Sequence, residues 1–130
     1  MTSADVKEAA SAARQARVVF GSAEVAILKR ARDTDGAYLL VEVRARPGFA
    51  AETVASHPCQ SETFEVVAGE LGAEVAGERV TARAGDLVVV EPATSYRWWN
   101  ACGDELVVRW EVRPALQLED VLRTAVAALR

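Results

Sequence analysis

The chain has 130 residues, 51% of them hydrophobic, enough for one core in a single domain. Fifteen basic against nineteen acidic residues leave a formal charge of −4, with both signs scattered, which argues against nucleic acid as a partner. No apolar run approaches the ~18–20 residues of a membrane span, and the first eight residues lack the basic-then-apolar order of a secretory leader, so a soluble cytoplasmic protein without a membrane partner is expected.

Residues 5–17 are alanine-rich, and Val6, Ala9, Ala10 and Ala13 at helical spacing predict a short N-terminal helix or arm over residues 1–17. From Val18 onward the period changes. Leu39, Val41, Val43 and Ala45 alternate with Leu40, Glu42, Arg44 and Arg46, the two-residue repeat of a half-buried strand, which Pro47-Gly48 ends. Further short runs follow at residues 62–68, 71–76, 79–82, 86–91, 95–99 and 105–113, separated by turns at Gly69, Gly77, Gly85 and Gly103. Many short strands with glycine turns and no intervening helix predict an antiparallel sandwich or barrel over residues 18–113. After Pro114 the helical period returns, with Leu118, Val121, Leu122, Ala125, Val126 and Leu129 on one stripe, so a C-terminal helix is expected over 115–130.

Two cysteines, Cys59 and Cys102, with no CxxC spacing, indicate neither a disulfide scaffold nor a zinc knuckle. The one histidine, His57, precedes the run at 62–68 and has a carboxylate nearby in Glu62. Histidine titrates near neutrality, and a carboxylate beside it fixes its tautomer, so the two can form an acid–base pair. Equally, His57 can be a side chain merely hydrogen-bonded to Glu62.

Two stretches together resemble the cupin superfamily, whose first motif runs G-x5-H-x-H-x3,4-E-x6-G and whose second runs G-x5-P-x-G-x2-H-x3-N. His57-x4-Glu62-x6-Gly69 carries the second half of the first motif, and Gly85 to Asn100 keeps the outer residues and spacing of the second. The resemblance spans about residues 36–122 and implies an all-β, cupin-type jelly-roll barrel, one domain over residues 1–130 with a short N-terminal and a C-terminal helix, and pairing into a homodimer. In the family two histidines and a glutamate of the first motif and a histidine of the second hold a metal. Here Ala55 stands at the first histidine position and Tyr96 at the last, leaving His57 and Glu62. Catalytic transition-metal sites take about three protein ligands, so the set is short.

The resemblance therefore implies a barrel binding a small organic ligand, with no cofactor, and non-redox proton-transfer chemistry of the isomerase, epimerase or cyclase kind. His57 is its base, Glu62 the orienting group and Tyr96 the acid or oxyanion donor. Strand parity adds Phe64, Val66 and Trp98 to the pocket; Cys59, Asn100 and Trp110 are placed there too, and Trp98 and Trp99 are expected on opposite faces. Two alternatives stand beside this: a divalent-transition-metal cupin enzyme with His57 and Glu62 as ligands, joined by Tyr96 or Cys59, and a non-catalytic ligand-sensing barrel.

Overall fold

The computed structural model describes residues 23–51, 57–116 and 118–120, and the backbone of 18–20. Among the described residues nine strands run in chain order: β1 (Val18–Phe20), β2 (Ala23–Lys29), β3 (Leu39–Ala45), β4 (Ser61–Ala68), β5 (Glu70–Val75), β6 (Glu78–Arg83), β7 (Leu87–Val90), β8 (Tyr96–Asn100) and β9 (Leu106–Arg113). They pair antiparallel into a six-stranded sheet of order β1-β2-β3-β9-β4-β7 and a three-stranded sheet of order β6-β5-β8. The result is an all-β jelly roll. Among the described residues no helix is long and apolar enough to cross a membrane. The N-terminal helix expected over 1–17 lies outside the described residues, and so does most of the C-terminal one, of which Leu118–Asp120 is helical.

Alternation decides which face of each strand turns inward. Leu39, Val41, Val43 and Ala45 of β3 are buried, as are Leu106, Val108 and Val112 of β9 and Glu62, Phe64 and Val66 of β4. The register sets Val41 opposite Trp110 and Phe64 opposite Trp110, so β9 lies between β3 and β4 and one inner face is continuous across all three. On the outer face of the same sheet, Glu42 lies 3.4 Å from Arg44 and 3.8 Å from Arg109, while Arg44 reaches Glu105 at 3.2 Å. That partly buried ladder is cross-strand and edge pairing between charged side chains.

β2 shows no two-residue repeat because both its faces are covered. Ala23 and Ile27 join the main core, whereas Ala26 and Leu28 form a second buried cluster with Leu40 on the opposite face.

On the three-stranded sheet, Trp98 points inward against Phe49 and Phe64, and Trp99 outward. Trp99 lies across its register partner Gly72, where any Cβ would meet the indole, and Arg79 caps its ring at 5.4 Å. At the β4–β5 turn the obstacle is backbone. Gly69 adopts φ +86°, and a Cβ there would stand 2.7 Å from the Glu105 carbonyl oxygen and 3.0 Å from Leu106 Cα. Backbone cannot swing aside as a side chain can, so Gly69→Ala is expected to destabilise the protein by about 2–3 kcal/mol, combining left-handed strain with a steric shift. Chemical denaturation of the variant measures this; an unchanged midpoint contradicts it.

Candidate functional site

Glu62 is the centre of the site. It opens the inward register of β4, opposite Val90 of β7 and Val112 of β9, so its carboxyl rises among apolar side chains and is 1% exposed. Both of its hydrogen bonds fall on one oxygen: the Tyr96 hydroxyl donates to Oε1 at 2.6 Å and the Trp110 indole N–H at 2.8 Å. Trp110 belongs to the neighbouring strand, while Tyr96 comes from β8 of the facing sheet, so the contact ties the two sheets together. A buried carboxylate is tolerated only with such donors, which replace lost water.

Tyr96 is buried, and burial, the hydrogen bond to Glu62 and the Glu62 charge all push its phenol well above the ordinary range. The fold thus favours the neutral phenol. Its stabilising contribution is complete below the ordinary phenol value near ~10 and is lost as pH rises toward the folded value, by about 1.4 kcal/mol per pH unit. Alkaline unfolding of the native protein is therefore expected to carry a steeper pH dependence than that of Tyr96→Phe. Equal slopes contradict the assignment.

His57 precedes β4, and its carbonyl accepts a hydrogen bond from Ala93 N–H at 2.8 Å, which fastens this segment to the turn leading into β8. Its Nε2 stands 3.9 Å from Glu62 Oε1, an ion-pair distance when the ring is protonated and too long for a hydrogen bond. The ring is 6.4 Å from that of Tyr96, and the side chain is 26% exposed. In place of a direct hydrogen bond from His57 to Glu62 there is a looser electrostatic pair.

Around the carboxylate the wall is aromatic. Phe64 lies 5.7 Å from Tyr96, 5.9 Å from Trp98 and 6.0 Å from Trp110, the last nearly parallel at 9°, and Phe49 adds a ring 5.0 Å from Trp98. Trp98 and Trp110 sit in the inward register yet remain partly exposed, so solvent reaches the lumen beside them. Val66, at 1% exposure, lies one step deeper along β4 as packed core.

Two residues assigned to the pocket sit elsewhere. Cys59 is exposed in the turn at 58–59; strand parity required a strand through His57 and Cys59, and there is none. Asn100 is buried, but its amide nitrogen donates to the carbonyls of Ala45 and Asp104 and its oxygen accepts from Cys102 N–H at 2.9 Å. With its amide so occupied, it holds the β8–β9 turn at the far end of β8 from Tyr96. Two residues were missed. Phe49, directly after Pro47-Gly48, could have been found as an aromatic at a strand exit; Gln60, which donates to the carbonyls of Pro114 and Ala115, carries no sequence signal.

The donor set fits a transition metal poorly. Glu62 Oε1 already carries two hydrogens, Tyr96 would have to ligate as a phenolate although its surroundings hold the proton on, and one imidazole remains. Among the described residues no group of three or more His, Cys, Asp or Glu side chains is placed to hold a metal ion.

Comparison with known proteins agrees with this architecture. Among curated proteins none matches the chain. Among solved structures, KdgF from Halomonas sp. superposes with TM-score 0.68 at 19% identity, covering 78% of this chain and 88% of its own. A predicted oxalate decarboxylase from Thermotoga maritima gives 0.67 at 20% identity, over 71% and 80%. The nucleoside dehydratase Pac13, from Streptomyces, gives 0.65 at 21% identity, over 80% and 79%. At these identities the likeness is one of fold. The family model for the cupin domain, Cupin_2, matches residues 41–112, more than half of the chain, and the protein belongs to the cupin family.

Proposed function

We propose that this cupin binds a small organic molecule at the open end of its barrel and moves a proton on it without a metal. The observation that carries the reading is the pairing of a solvent-accessible imidazole with a buried, doubly hydrogen-bonded carboxylate in an aromatic-walled lumen. Nε2 of His57 faces Glu62, which leaves Nδ1 as the atom that takes a proton from a bound molecule. The imidazolium then formed stands 3.9 Å from Glu62 Oε1, at ion-pair distance.

Tyr96 takes a different part from the acid first expected. A phenol whose proton is held this firmly is a poor donor, so Tyr96, with Trp110, is a positioning residue that keeps the carboxylate aimed at His57. The nucleoside dehydratase Pac13, similar in fold, supports a small organic molecule as the ligand class.

The test is hydrogen exchange. Compounds that raise the melting temperature are incubated with the protein in D2O, and deuterium incorporation is followed by mass spectrometry. Incorporation that persists in protein purified without an affinity tag and treated with a chelator is expected. Loss of exchange and its return with added metal would overturn the metal-free mechanism, and binding without exchange or product would make the barrel a sensor.

A further inference from the structure

We infer that the molecule taken at this site is an organic cation, a protonated amine on an apolar or aromatic body. The inference rests on the small-molecule reading above and deepens it. Glu62 is 1% exposed, and its two donors, a phenol and an indole, are both neutral. Buried charges are stable when paired, and among the described residues the nearest cation-forming group is His57 at 3.9 Å. The arginines of β3 and β9 do not serve, since Arg44 and Arg109 lie on the opposite face of the sheet with Glu42.

Both hydrogen bonds occupy Oε1, so among the described residues Oε2 receives none and is the acceptor left for an ammonium N–H. The walls add to this. Trp98 and Trp110 are partly exposed in the inward register, and indole rings attract cations through their quadrupoles. An anionic ligand would meet a like charge at Glu62, beside which the described residues place no lysine or arginine. A neutral one would leave the partly exposed His57, at 3.9 Å, as the nearest cation-forming group to Glu62 among the described residues.

Three probes of nearly equal shape separate these cases: benzylamine, benzyl alcohol and benzoate, with binding measured by NMR titration at neutral pH. Benzylamine is expected to bind at least about tenfold more tightly than benzyl alcohol, and benzoate more weakly than either. Glu62→Gln keeps an oxygen at the Oε1 position for Tyr96 and Trp110 and removes the charge, so the preference for the amine over the alcohol is expected to vanish. Trp98→Leu should weaken benzylamine more than benzyl alcohol. Equal binding of amine and alcohol to the native protein overturns the inference and leaves the small-molecule reading intact. A preference that survives Glu62→Gln overturns it as well, and so does binding of none of the three. The proton-transfer reading stands or falls separately, on the exchange experiment.

Discussion

His57→Ala is expected to slow deuterium exchange into a bound compound by about 10²–10⁴-fold, the usual contribution of a positioned general base, with little change in the compound's affinity. The separation of rate from binding follows from position. His57 stands at the edge of the lumen with 26% of its side chain exposed, whereas the aromatic wall belongs to other strands. Nor should the fold suffer, because the contact that fastens this segment, Ala93 N–H to the His57 carbonyl, is backbone and survives the substitution. The measurement is exchange rate and Kd on the same preparation. A rate unchanged in His57→Ala would remove the imidazole from the mechanism.

Glu62→Ala is expected to destabilise the protein by about 3–5 kcal/mol, through the cavity left and the orphaned phenol and indole donors. Glu62→Gln should cost less than about 1 kcal/mol, since its carbonyl oxygen accepts both hydrogen bonds and the desolvation of a charge is relieved. The contrast separates a carboxylate kept for its shape and acceptor from one kept for its charge. Denaturant midpoints compare the two variants, and exchange and amine binding then report what the charge itself does. If alanine were tolerated as well as glutamine, the Tyr96–Glu62–Trp110 contact would not be what holds the two sheets together here.

Much of the barrel is legible because its strands bury one face only. In β3 and β9 the inward valines and leucines alternate with charged residues, and the observed bounds, Leu39–Ala45 and Leu106–Arg113, follow that alternation. β2 escapes it: Ala26 and Leu28 are buried on one side and Ala23 and Ile27 on the other, so no period survives to be read. Parity likewise sends Trp98 inward and Trp99 outward, since β8 is regular. It misled at Cys59, where a turn replaces the strand, and at Asn100, whose inward side chain is taken up by backbone groups.

The order of apolar and polar residues determined the architecture and, through the spacing from His57 to Glu62 to Gly69, where the candidate site lies. What Glu62 does was decided by tertiary structure alone. Tyr96 lies 34 residues away and Trp110 lies 48 residues away along the chain, and only the pairing of β9 with β4 together with the packing of the facing sheet brings both donors to a single oxygen. Period and spacing are local quantities, whereas a carboxylate's partners, and hence its availability to a metal, a proton or a cation, depend on strands that meet only when the barrel closes.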